Sequence, residues 1–301
     1  KILIRKGDNT MLVSLQEMLQ EAEKKNFAIA SINTPNQISL RAVIQAAEDT
    51  NMPVTINHAQ TEEDVVPIEI AVPLMLEYAG KSTAPISVHV DHGYDFDHCM
   101  KAVRLGCTSI MHDNSRFSLW ENIERTRRFV DIVHPLGIGV EAELGAMPNN
   151  MPSEVHGQEA SDLSDLSVYF TNPDEAEIFC REAGCDVLTV SFGTVHGMYA
   201  GEPNLDIELV KKIRAKAGNV ALGMHGGSGT PFNQIQSAID AGIRKINYFT
   251  AIDTAPAPYL AKTISEATNP VNFCHLANQA MEIIYEKTVE ILTVFKNEKK
   301  F

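Results

Sequence analysis

PISVHVD (residues 85–91) and CTSIMHD (residues 107–113) are short β-branched runs, each ending on an acid beside a histidine, with a helical stretch between them. The unit recurs along the chain. FAIASIN from Phe27 and PVTIN from Pro53 precede the pair; GIGVEAE from Gly137, DVLTVSF from Asp186, VALGMHG from Val220 and RKINYF from Arg244 follow it. Helical patterns such as SLRAVIQAAEDTN and PDEAEIFCREAG lie between the runs. The second has Pro173 near its start and Gly184 at its end, the order expected at helix termini. Strands alternating with helices, each strand reading as apolar on both faces, predict a parallel sheet covered by helices. About eight such units in one chain favour closure into a (β/α)8 TIM barrel. An open doubly wound sheet is the alternative, but no GxGxxG follows the first strand. Residues 1–301 therefore read as a single domain, with a barrel core over about 27–253 and a C-terminal helical tail over 254–301.

Composition narrows the partners. The formal charge of −14 repels nucleic acid and anionic membrane. No apolar run reaches the ~20 residues of a membrane span. IEIAVPLMLEYAG from Ile68 carries Glu69 and Glu77 and reads as a packed helix. The first residues, KILIRKGDNT, lack the apolar region and cleavage site of a signal peptide. Five scattered cysteines without CxxC spacing predict buried free thiols in a reducing compartment, the cytoplasm. One loop, LGAMPNNMPSEVHGQEASDLSD (residues 144–165), is long enough to be a functional lid or a disordered segment.

The polar residues fall at the strand ends. His89, Asp91 and His92 close the third strand, Asp113 the fourth, and Glu141 and Glu143 the fifth; His196 follows the sixth, His225 closes the seventh and Asn247 lies in the eighth. A parallel barrel brings all of these ends to one face, where active sites sit. Three imidazoles with open positions are a known ligand set for catalytic zinc, which stabilises charge developing on a carbonyl oxygen. Any one histidine at a strand end is more often a hydrogen-bonded core residue, so the weight rests on joint placement. His58, His98, His112, His134, His156 and His275 read as structural or surface residues, and His89 as one that orients a ligand from behind. HGGSG (residues 225–229) leaves a strand and precedes the helix PFNQIQSAIDAG. With GTVHG (193–197) and NYFT (247–250) it predicts an anion site of backbone N–H groups.

In order, IASIN, HVDHG, MHDNS, VEAELG, GTVHGMY, HGGSG and KINYFT resemble the class II fructose- and tagatose-bisphosphate aldolases over nearly the whole chain. The resemblance implies a zinc-dependent lyase of carbohydrate metabolism, as in glycolysis, that reversibly cleaves a ketose phosphate to dihydroxyacetone phosphate and an aldehyde. It implies His92, His196 and His225 as Zn2+ ligands and Asp91 as the acid/base at the C4 oxygen. Asp113 and Glu143 match the acidic pair that orients ligands or holds metal in an alternative position. Asn33 and Asn247 match substrate contacts. Gly197, Gly226, Gly227, Ser228 and Thr250 match the C1-phosphate loops, near which a monovalent cation such as Na+ or K+ often binds. A glutamate of the long loop, Glu154 or Glu159, would protonate C3. Homodimers or homotetramers are usual, with the C-terminal helix as a plausible interface.

The departures from the pattern share a direction. Ala200 stands where a phosphate-binding lysine is usual, Ala59 where a serine is, and Val271 where an arginine is. NYFTAID replaces the family's NxDTDxR, so Phe249, Ala251 and Asp253 stand where two aspartates and an arginine are usual. Losing arginine removes a charge-assisted fork for phosphate. The expected substrate is thus a ketose 1-phosphate, or a sugar whose far end is neutral or cationic. Competing readings are a Schiff-base aldolase using Lys245, a metal-dependent hydrolase, and a non-catalytic sugar-phosphate-binding protein.

Overall fold

Parallel hydrogen bonding between strands in chain order, closed by pairing of the last with the first, makes a complete eight-stranded barrel. This computed structural model describes residues 11–148, 165–197, 199, 201 and 203–298. The strands are β1 (Ile29–Asn33), β2 (Val54–Ala59), β3 (Ile86–Gly93) and β4 (Ser109–His112), then β5 (Gly139–Leu144), β6 (Val187–Val190), β7 (Ala221–Met224) and β8 (Ile243–Asn247). All eight coincide with the β-branched runs of the sequence. Helices α2 (Gln37–Thr50), α3 (Ile68–Ala79), α4 (Phe96–Leu105), α5 (Leu119–Val133), α6 (Pro173–Ala183), α7 (Ile207–Lys216) and α8 (Phe232–Ala241) fill the seven crossovers.

Local chemistry sets the helix ends. Asn36 caps α2 by accepting from the N–H groups of Ile38 and Ser39, both at 3.0 Å. In α6, Asn172 caps, Pro173 opens the first turn and Gly184 closes it at φ 74°, as the punctuation predicts. Helix α1 (Leu15–Lys25) has no counterpart in the sequence reading, which begins the barrel at residue 27. It lies at the N-terminal end of the strands. Gln16 Nε2 donates to Asp186 at 3.1 Å, and a Cβ on Gly139 would meet Leu15 Cβ at 3.1 Å. After β8 the chain runs through α9 (Thr250–Thr254), α10 (Pro256–Glu266) and α11 (Phe273–Phe295). Helix α11 packs along α2, and Phe295, fully buried, accepts through its carbonyl from Ala28 N–H at 3.0 Å.

The expectation of strands apolar on both faces fails inside the barrel. Ser31, Thr55, Asn57, Ser87, His89, Ser109, Glu141, Thr189 and Lys245 are all 0% exposed. They alternate with apolar neighbours such as Ile32, Ile56, Val88 and Val140 that belong to the hydrophobic core. The polar set partners itself across strands: Asn57 donates to Ser31 and Asn33, Thr189 donates to Glu141, and Lys245 forms an ion pair with Glu141. The cysteine reading also needs one change: all five are free and four are buried, but Cys274 is exposed.

Asn36→Ala should lower stability by about 1 kcal/mol in urea unfolding while leaving the site below intact. An unchanged midpoint would show that α2 is held by packing against α11 alone.

Candidate active site

Two consecutive side chains of a regular strand point to opposite faces, yet Asp91 and His92 both line one cavity. A shift in the register of β3 against β4, between Val90 and Gly93 of β3, makes this possible, together with a left-handed backbone at His92, φ 48°. Residues other than glycine are uncommon there, histidine being one of those that enter it most readily, and such conformations concentrate at functional sites. His92 Nδ1 lies 2.8 Å from Asp113 Oδ2, and its Nε2 lies 2.9 Å from His225 Nδ1. His225 Nε2 lies 3.1 Å from Glu141 Oε1. The His196 ring sits 5.1 Å from that of His92 and 5.8 Å from that of His225. One donor atom from each of the three imidazoles falls within 4.8 Å of the others, and so does one from each of His92, Asp113 and Glu143.

This arrangement asks for a cation. With their outer N–H groups donating to Asp113 and Glu141, neutral His92 and His225 would turn bare lone pairs toward each other at 2.9 Å, so the contact takes either a proton on His92 or a metal ion. Two lone pairs at that distance repel unless a positive centre sits between or beside them. Burial opposes charge on His92, but the Asp113 hydrogen bond and the charges of Asp91, Asp113 and Glu143 push its imidazole up to about 10. Burial and the neighbouring His92 and His225 hold His196 down at about 3. Burial, then the Asp113 charge, push Glu143 up to about 8, and its Oε2 is buried without a hydrogen-bond partner. Burial works against an ionised Asp91, yet His92, His225 and Lys245 outweigh it and lower its pKa. Asn247 Nδ2 donates to Asp91 Oδ1 at 2.9 Å.

Under the imidazoles lies Glu141, a strand-end acid without an assigned role in the sequence reading. It is 2.7 Å from Lys245 Nζ, 3.1 Å from His225 and 3.3 Å from His89, whose Nδ1 is 2.8 Å from Ser109 Oγ. His89 thus reaches His225 through Glu141, one step further back than expected. Lys245 is fully buried and also donates to Asn247 at 2.6 Å. An ammonium held this way is not the unpaired amine a Schiff base requires.

The cavity above has a volume of about 310 Å³. One wall is Gly197, Gly226, Gly227, Ser228 and Thr250, the residues the sequence assigns to phosphate. Gly226 has φ 68°, and a Cβ there would lie 2.3 Å from the Val195 carbonyl oxygen, so only glycine fits. Ser228 Oγ accepts from Ala251 N–H at 3.1 Å. The other wall comes from β1 and β2: Asn33, Ala59, Thr61 and Glu62. Glu62 belongs to no motif and was invisible in the sequence. It lies in a 3-10 turn, Gln60–Glu62, is 7% exposed, and accepts from Asn33 Nδ2 and Ala59 N–H, each at 3.1 Å. No lysine or arginine lines the cavity among the described residues. Phe249 lines it; Asp253 does not, being exposed on α9, and Ala251 and Val271 also stand outside it. Ala200, Glu154 and Glu159 lie outside the described residues.

Comparison with known proteins agrees with this geometry. The family model for class II fructose-bisphosphate aldolase matches residues 13–300. The crystal structure of the YdjI aldolase of Escherichia coli K12 superposes with a TM-score of 0.82 at 33% identity, covering 94% of this chain and 97% of that one. A "Probable fructose-bisphosphate aldolase" of Bacillus subtilis (strain 168) is 34% identical over 92% of this chain and 95% of its own. A "Sulfofructosephosphate aldolase" of Alkalicoccus urumqiensis is 31% identical over 96% and 98%.

Burial raises the Glu62 carboxyl from an ordinary 4.5 to about 7. Between those values the folded chain keeps a proton that the unfolded chain has released, so this group makes stability fall as pH rises through that window. Glu62→Gln abolishes the fall. Its stability relative to the parent should climb by up to about 3 kcal/mol between about pH 4.5 and 7 in urea titrations. A pH-independent difference would place Glu62 at an ordinary pKa.

Proposed function

The chain belongs to the class II fructose-bisphosphate aldolase family of carbon–carbon lyases, and on that premise we propose that it is zinc-dependent and cleaves a ketose phosphate whose far end is neutral or cationic. The products are then dihydroxyacetone phosphate and an aldehyde without a phosphate. The cavity lining carries this reading. One wall offers small residues and backbone to an anion, whereas the other holds the buried carboxyl of Glu62, with no lysine or arginine at either among the described residues. A second phosphate placed against Glu62 meets a carboxyl already partly ionised near neutrality, and no fork to bind it. The family assignment displaces the hydrolase and Schiff-base readings.

In this reading His92, His196 and His225 hold Zn2+, supported by the convergence of one donor atom from each within 4.8 Å and by the His92–His225 contact. Asp113 and Glu143 orient His92 or receive the ion in a second position, supported by the orphaned Glu143 oxygen. When bound, the ion stabilises negative charge developing on the ketose carbonyl oxygen. Asp91 takes the C4 hydroxyl proton; Asn247 holds one of its oxygens and leaves the other for the substrate. The C3–C4 electron pair stays with the ketone half, and the aldehyde leaves along the Asn33–Glu62 wall. Gly197, Gly226, Gly227, Ser228 and Thr250 seat the C1 phosphate, with a Na+ or K+ nearby. Glu154 or Glu159 returns a proton to C3.

The same proposal treats residues 1–301 as one unit in the cytoplasm, acting as a homodimer or homotetramer. No described helix is long and apolar enough to cross a membrane. Tyr259, Ile264 and Phe273 stand exposed on α10 and α11, large apolar side chains of the kind subunit interfaces cover.

Cleavage of fructose 1-phosphate and fructose 1,6-bisphosphate tests the substrate reading. We expect kcat/KM to favour the monophosphate by at least ~10-fold, and Glu62→Gln to narrow the gap; preference for the bisphosphate overturns it. Asp91→Asn should keep its metal and lose about 10²–10⁴-fold in kcat. His225→Ala should lose both metal and turnover. Full metal content without turnover on any ketose phosphate would leave a binding protein instead.

A further inference from the structure

His58, Glu63 and His98 form a second cluster that aldol chemistry does not use. His58 belongs to β2, Glu63 follows the turn that carries Glu62, and His98 lies in the first turn of α4. None of the three lines the active-site cavity. Each offers one donor atom, and the three atoms lie within 4.8 Å of one another.

Two observations point to an ion there. His58 is fully buried; its Nε2–H donates to the Val66 carbonyl at 2.8 Å, which fixes the tautomer and leaves Nδ1 as a lone pair with no partner. That is the arrangement a backbone carbonyl gives a ligating imidazole. His98, its side chain 8% exposed, also has a buried ring nitrogen, Nε2, without a partner, and its Nδ1 stands 3.6 Å from Glu63 Oε1, too far for a hydrogen bond. Leaving buried polar atoms unsatisfied is costly. Finding two in rings that approach to 6.1 Å beside a carboxylate calls for a common partner. The Glu63 side chain is 32% exposed, so an ion can enter from solvent.

We propose that His58, Glu63 and His98 bind a second divalent transition ion of zinc's class, structural rather than catalytic. Two imidazoles and a carboxylate are nitrogen and oxygen donors that such ions accept, with water completing the sphere. The ion joins the β2–α3 turn to the start of α4. Gln60 already clasps these segments, accepting from Tyr94 N–H at 2.8 Å. Its effect is to stiffen the turn that presents Glu62 on one side and the segment leaving Asp91 and His92 on the other.

Metal-stripped full-length protein is reloaded with Zn2+, passed through a desalting column and assayed by elemental analysis. Two ions per chain are expected, falling to one in His98→Gln, one in Glu63→Gln, one in His225→Ala and none in His98→Gln combined with His225→Ala. Running the series in the His225→Ala background keeps this site separate from the aldolase reading, because the remaining ion reports on the second site whatever the first one does. In that background Zn2+ should raise Tm, and His98→Gln should remove the rise. Parallel loading with Mn2+ and Fe2+ under reducing conditions identifies the preferred ion. No ion in His225→Ala, or an ion content left at the parent value by both His98→Gln and Glu63→Gln, overturns the proposal. A His98→Gln chain that keeps its native circular dichroism and its His225-dependent ion shows that its loss is not misfolding.

Discussion

Two imidazole nitrogens that face each other at 2.9 Å, on His92 and His225, are the constraint around which the mouth of this barrel is arranged. Each is pinned from behind by a carboxylate, Asp113 or Glu141, so neither ring can turn away to relieve the contact. The carboxylates are themselves held: Glu141 by Lys245, Thr189 and His89, and Asp113 by the Ser115 N–H. Removing one member leaves a buried charge uncompensated, which costs more than the pair contributes. The left-handed residue at the end of β3 belongs to the same set. It delivers His92 to the contact without moving Asp91 from the cavity.

That demand reaches down through the barrel. A lysine and a glutamate, both without solvent exposure, make an expensive centre for a core. Here the hydroxyls and amides of Ser31, Asn57, Ser87 and Ser109 distribute the cost across a network of cross-strand hydrogen bonds. Hydrophobic stabilisation is displaced outward, to the layer between strands and helices, where Phe129 and Phe179 are fully buried. The barrel therefore keeps its apolar packing and its polar chemistry on opposite sides of a single sheet.

The strands and their order were legible because each β-branched run is local and its helix is punctuated by caps and glycines. The imidazoles were legible because strand ends converge in any parallel barrel. Glu62 was not: it sits three residues past a strand, in a short turn, and reads like any surface acid until Asn33 and Ala59 fold over it. The polar interior escaped for a related reason. Serine and threonine in a β-branched run look like tolerated strand formers, and only the opposite strand reveals that each has a partner. Helix α1 carries a legible start in the Ser14–Glu17 capping box, but a reading that begins at residue 27 passes it by, and nothing in its own pattern tells that it packs against the starts of β5 and β6.

The bond from Ala28 N–H to the carbonyl of Phe295 joins the entrance of the first strand to the last turn of the final helix. Asn297 adds a second stitch, donating to the carbonyl of Asn26 at 3.2 Å. During synthesis the N-terminal units emerge long before their closing partner exists. β1 also waits for β8 to supply its other neighbour. Any sheet formed before β8 and α11 are made has an open edge at β1, a state in which strands are prone to pair wrongly. Synthesis of the closing elements, rather than the folding of any single unit, becomes the event that seals the molecule.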